Sequence, residues 1–66
     1  MTYKQAEKIK VGDIILTKYN QRIEVTEISN HISWTTGAET LYIKGKADDN
    51  EIMKFSHKEL LSILEQ

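Results

Sequence analysis

The hydrophobic positions of this chain change period twice, and each change predicts a change of element. From Thr2 to Val11, Tyr3, Ala6 and Ile9 recur every third position, which places them on one face of a short N-terminal helix. Thr2 is placed to cap it, and Gln5 three residues later completes a capping-box pattern. Gly12 then falls where a helix end favours positive φ. From Asp13 the period becomes two. Ile14 and Leu16 share one face of a first strand, Ile15 and Thr17 the other. Lys18-Tyr19-Asn20-Gln21 is a polar connection in which Asn20 suits a left-handed conformation. Ile23 and Val25 alternate with Arg22, Glu24 and Thr26 in a second strand. Ile28 breaks that parity, and a β-bulge near Thr26-Glu27 would return it to the core.

A third strand is predicted over His31-Ile32-Ser33-Trp34-Thr35, with Ile32 and Trp34 on one face, followed by a turn at Thr36-Gly37-Ala38-Glu39. A fourth covers Thr40 to Lys46, Leu41 and Ile43 facing one way and Tyr42 the other. After the turn Ala47-Asp48-Asp49-Asn50, a fifth runs from Glu51 to Phe55, with Met53 and Phe55 on one side and Ile52 opposite. Helical spacing then returns. Ser56 with Glu59 reads as a second capping box, and Leu60, Leu61, Ile63 and Leu64 form the apolar stripe of a C-terminal amphipathic helix ending at Gln66. Five short strands joined by short turns predict a mainly β fold. It is expected to be a five-stranded antiparallel small barrel, with the two helices covering its ends.

Length and composition narrow the picture. The chain has 66 residues, room for a single domain (1–66) with one small core. With 39% hydrophobic and 29% charged residues it reads as a soluble globular domain rather than a disordered tail. There is no Cys, hence no disulfide framework and no thiolate metal site, and a cytoplasmic, intracellular setting is expected. The longest apolar run is Ile14-Ile15-Leu16, far short of a membrane span, so no membrane partner is expected. Eight of the nine basic residues are Lys and only Arg22 offers a bidentate fork. A net charge of −1 argues against strong non-specific binding to nucleic acid.

Lys10-Val11-Gly12-Asp13-Ile14-Ile15-Leu16, followed by Arg22-Ile23-Glu24-Val25-Thr26-Glu27-Ile28, resembles the opening hairpin of small SH3-like barrels. It is similar in particular to a degenerate KOW-type domain, the kind found in transcription and ribosome-associated proteins. The match covers about a third of the chain, and Tyr19, Asn20 and Gln21 stand where the KOW pattern keeps further glycines. The resemblance implies the fold more than any activity. Size and the Lys and Ile bias also resemble small proteins of bacteriophages and other mobile elements.

Candidate chemistry is sparse, and no enzyme is expected. His31 and His57 are 26 positions apart and read as solvated or capping residues; no metal and no cofactor are predicted. Asp48, Asp49 and Glu51 read as a turn, because the loop lacks the order of oxygens and the glycine that a calcium loop needs. Gly12, Gly37 and Gly45 are isolated and make no phosphate loop, and no nucleophile motif or small-molecule substrate site is evident. Binding is the better class. Trp34 and Phe55 are assigned to the core. Tyr19, at a hairpin tip between Lys18 and Arg22, is placed to stack on a base or an apolar side chain. Tyr42, Lys44 and Lys46 share one face of the fourth strand, as a phosphate-contacting surface would require. The candidate site is therefore Tyr19, Arg22, Tyr42, Lys44 and Lys46. The first reading is a non-catalytic interaction module, a regulator or inhibitor docking on a larger protein or complex; the alternative is a KOW-like nucleic-acid-binding protein in transcription or translation.

Overall fold

Thr2 opens the first element as its sequence requires. Its hydroxyl accepts from the Gln5 amide (3.2 Å) while the Gln5 side-chain oxygen accepts from the Thr2 amide (2.9 Å), a complete capping box. The computed structural model describes residues 1–66, and its regular helix, α1, spans only Tyr3–Ala6. The predicted extension to Val11 is corrected by a competing turn. The buried Asp13 carboxylate accepts from the Lys10 amide (2.8 Å), the Asp13 amide donates to the Lys10 carbonyl (3.1 Å), and Gly12 turns between them at φ 98°. The predicted face survives the shortening: Ala6 and Ile9 are buried and Tyr3 is half-buried.

Five antiparallel strands follow: β1 (Ile14–Thr17), β2 (Arg22–Ile32), β3 (Glu39–Lys46), β4 (Ile52–Ser56) and β5 (Leu60–Glu65). They form one open sheet in the order β4-β3-β2-β1-β5, with β4 and β5 as its edges. A short 3-10 turn, His57–Glu59, joins those edges. Alternation decides which side chains turn inward. Ile15, Ile23, Val25, Leu41, Ile43, Phe55 and Leu60 meet Ala6 and Ile9 in one core. Val25 pairs with Gly45 and Glu27 with Lys44, so Thr26 is the extra residue of the expected bulge, and Ile28 is returned to pack against the core. Gly45 permits that close crossing, since a Cβ there would overlap the Ile23 side chain and the Glu24 carbonyl.

Two predicted elements are corrected. There is no separate strand over His31–Thr35: β2 runs unbroken through His31 to Ile32, and Trp34 lies in the turn that follows. Nor is there a C-terminal helix. Ser56 makes no side-chain cap, and the segment after the 3-10 turn is β5, paired to β1. Thr17 pairs with Leu60, Leu16 with Ser62, Ile15 with Ile63 and Ile14 with Glu65, so Leu61 and Leu64 are skipped as bulges. Two bulges turn an inward period of two into one of three. Leu60 and Ile63 both reach the core, and the i, i+1, i+3, i+4 pattern of Leu60, Leu61, Ile63 and Leu64 imitates a helix.

Candidate functional site

The structure divides the five predicted binding residues between two places. Tyr19 lies in the β1–β2 turn, which Thr17 organises: its buried hydroxyl accepts from the Tyr19 amide (3.2 Å) and the Gln21 amide (3.4 Å), and Asn20 takes φ 62°. The Tyr19 ring is 55% exposed yet leans on Phe55, with centroids 6.0 Å apart, and the Lys18 ammonium sits 5.3 Å from its centroid. One face of Tyr19 therefore already has a partner.

Tyr42, Lys44 and Lys46 share the outer face of the sheet, opposite the core, as alternation along β3 predicts, and Arg22, alternating with the buried Ile23 on β2, joins them there. Sequence reasoning left Lys54 out of this group, although it alternates against Met53 and Phe55. Across β3–β4 it stands directly opposite Lys44, and its ammonium lies 4.9 Å from the Tyr42 ring centroid. His31 approaches the same ring edge-on at 6.4 Å. Acidic side chains dilute the positive charge. Glu27 reaches Lys44 at 3.9 Å, Glu65 reaches Arg22 at 3.8 Å, and Glu24 is the cross-strand partner of Lys46. Such exposed pairs are worth little individually.

His57 is not the solvated or capping residue its sequence context implies. It is 6% exposed, its Nδ1 accepts from the buried Leu41 amide (3.2 Å), and the Tyr3 ring meets it edge-on at 5.7 Å. That bond places the ring proton on Nε2. Tyr3 in turn ties α1 to the start of the β2–β3 hairpin. Its phenol is raised above the ordinary tyrosine value by partial burial, then by the Glu39 and Glu7 carboxylates, against a lowering hydrogen bond from Asn30.

Trp34 is the residue most at odds with expectation. Assigned to the core because a large aromatic in a small fold is usually buried, it is 100% exposed, and Ile32, on the same predicted face, is 56% exposed. β2 has eleven residues, and at 3.3 Å each it reaches about 35 Å, close to the molecule's 37 Å long axis. Only Arg22, Ile23 and Glu24 of that strand pair with β1, while β3 stays paired with β4 as far as Tyr42 and Ile28, Leu41 and Ile43 stay on the core, so β2 and β3 leave the body as a two-stranded arm only beyond Asn30 and Leu41. Trp34 stands in its four-residue tip, Trp34–Gly37. The sequence carried one signal for this, the Thr35-Thr36-Gly37 turn directly after Trp34. No protein-family model, no curated protein and no solved structure matches the chain.

Proposed function

We propose that the chain is a non-catalytic interaction module that docks on a larger protein or complex as a regulator or inhibitor. The observation that carries this reading is the β2–β3 arm: a ribbon without Lys or Arg that extends past the core and holds an indole in water. An isolated two-stranded ribbon gains little for the fold, and a large apolar side chain held wholly in water adds no packing. Both make sense as recognition elements. The strand order, the 3-10 turn between β4 and β5, and the reach of Tyr19 over to Phe55 support an SH3-like small barrel as its fold type. A cytoplasmic setting and a bacteriophage or mobile-element origin accompany this reading.

A second reading, a KOW-like nucleic-acid binder, is favoured by the outer face, where Tyr42, Lys44, Lys46 and Lys54 gather and two lysines stand directly opposite each other. Three acidic neighbours and the partner already leaning on Tyr19 rank it second. One experiment separates the two. The tagged chain, and a variant in which an Asn-Gly turn replaces Ile32–Glu39, are used as baits in cell extract, with and without nuclease. A discrete protein that survives nuclease and is lost with the shortened arm supports docking. Recovery of nucleic acid, with proteins lost after nuclease and at raised salt, refutes it in favour of the second reading.

A further inference from the structure

We infer that the open edge of β2, from Glu27 to Ile32, pairs antiparallel with the same edge of a second copy of this chain, forming a dimer about a two-fold axis at Asn30. The inference is independent of the docking reading above and concerns backbone groups that the chain itself leaves unpaired.

The phase of the β2–β3 ladder shows which groups those are. The Ser33 amide donates to the Ala38 carbonyl (2.9 Å), and the register carries that pairing back through His31–Thr40, Ser29–Tyr42 and Glu27–Lys44. Alternate residues of an antiparallel strand bond to alternate sides, so Ile28, Asn30 and Ile32 turn their amides and carbonyls away from β3. On that side β1 pairs no further along than Glu24. The chain before it adds only the Gly12 amide on the Val25 carbonyl (2.8 Å) and the Asp13 carbonyl under the Val25 amide (2.9 Å). No turn or loop bond takes the backbone groups of Ile28, Asn30 or Ile32. The β3 side of the arm, by contrast, is closed at Leu41, whose amide donates to His57. The ends of the sheet are also guarded: β5 is broken by two bulges and β4 carries the exposed Lys54 at its middle. From Glu27 to Ile32 there is no bulge, no Lys, no Arg and no Pro.

What fits this edge is the edge itself. With the axis at Asn30, Ile28 stands opposite Ile32 of the second copy, Asn30 opposite Asn30, and Ile32 opposite Ile28. These are the residues with free groups, and each pair exchanges two backbone bonds. All their side chains lie on the inner face, so the half-exposed Ile32 gains an apolar cross-strand partner. Between them Ser29 meets His31, and Glu27 meets the uncharged Ser33, so no like charges stand opposite each other. The same register carries each tip alongside the Gly12 turn of the second copy, which brings Trp34 within reach of the exposed Val11. A two-stranded ribbon is marginal in water, and the pairing backs each arm with strands of the other copy. Because both copies use the same surface, the contact closes at two, and the guarded β4 and β5 edges add no more.

Sedimentation velocity of the full chain from about 1 μM to about 1 mM spans the affinities such a contact can have. The mass is expected to rise from 7.7 kDa to twice that and no further. Over the same range, hydrogen exchange followed by nuclear magnetic resonance should slow at the Ile28, Asn30 and Ile32 amides, while Ser29 and His31, bonded to β3, are protected throughout. Ile32→Lys sets a charge against Ile28 of the second copy without entering the core. Asn30→Pro removes the amide on the axis, one that the single chain's sheet does not use. Each is expected to weaken the dimer about tenfold or more, with the urea midpoint of the dilute chain kept. Ile32→Lys decides alone if Asn30→Pro lowers that midpoint. A monomer at every concentration overturns the inference, and loss of the protein captured by the tagged chain in Ile32→Lys would then give the edge to a strand of that protein. A dimer that keeps its strength in Ile32→Lys and leaves the three amides unprotected also overturns it. Weakening by Leu61→Lys would then place the contact at the apolar depression lined by Met1, Leu61 and Ile63. Growth past two copies overturns the closed two-fold pairing.

Discussion

Replacing His57 tests how α1, the 3-10 turn and the β2–β3 arm are joined. His57 Nδ1 is the acceptor for the buried Leu41 amide, and the ring lies edge-on to Tyr3. In His57→Phe the ring volume is roughly kept, but the Leu41 N–H is left buried without a partner. That should cost about 1–3 kcal/mol. The edge-on contact with Tyr3 is largely retained, so the lost acceptor dominates. His57→Asn places a side-chain oxygen near Nδ1; it keeps the bond, loses the ring contact, and should cost about 1 kcal/mol. A domain of 66 residues has a stability of order 3–10 kcal/mol. A loss of 2 kcal/mol would lower its melting temperature by roughly 8–16 °C. Urea titration followed by far-ultraviolet circular dichroism gives the stability, and hydrogen exchange at Leu41 gives the local effect. A His57→Phe protein within about 0.5 kcal/mol of wild type, with Leu41 still protected, would refute the role given to this bond.

Other substitutions probe separate parts of the argument. Gly45→Ala should destabilise by about 3 kcal/mol, because its methyl meets the Glu24 backbone as well as the Ile23 side chain; a neutral urea midpoint would show that the crossing is looser than described. Deleting Thr26 removes the bulge and, with β2 held at its Arg22 end, turns Ile28 out of the core, so the chain should lose cooperative unfolding. The raised Tyr3 phenol gives a signed pH prediction. Its neutral form is favoured in the folded state, so its contribution is complete below the unfolded value near 10 and lost as pH rises beyond it. Stability above pH of about 10 should therefore fall more steeply in wild type than in Tyr3→Phe; equal slopes in urea titrations would count against it.

The sheet was readable where side chains obey simple alternation. Ile15 and Thr17, Leu41 and Ile43, and Met53 and Phe55 each turn inward as a period of two requires, and the parity break at Ile28 located the bulge at Thr26. The C-terminal segment misled because two bulges in one short strand shift its inward positions to a spacing of three, and only pairing with β1 distinguishes that from a helix. The first helix was overextended because the carboxylate of Asp13 competes for the Lys10 amide, a local choice that periodicity does not register. Of the candidate site, the outer-face group of Tyr42, Lys44 and Lys46 followed from alternation, whereas Arg22 had been grouped with Tyr19 at the hairpin tip, and Tyr19 was half claimed by Phe55, a contact between segments far apart in sequence. Trp34 was assigned inward because a large apolar residue is usually buried. Its exposure reflects a hairpin extended beyond the body, which depends on how far β2 outruns β1.

The two bulges of β5 also bear on how this molecule avoids its own kind. An open sheet presents two edges of unpaired backbone groups, and a regular apolar edge such as Leu-Leu-Ser-Ile-Leu would template cross-β stacking with neighbouring copies. Interrupting the strand at Leu61 and again at Leu64 spoils the even spacing of donors and acceptors that an incoming strand must match, while the exposed Lys54 guards the opposite edge on β4.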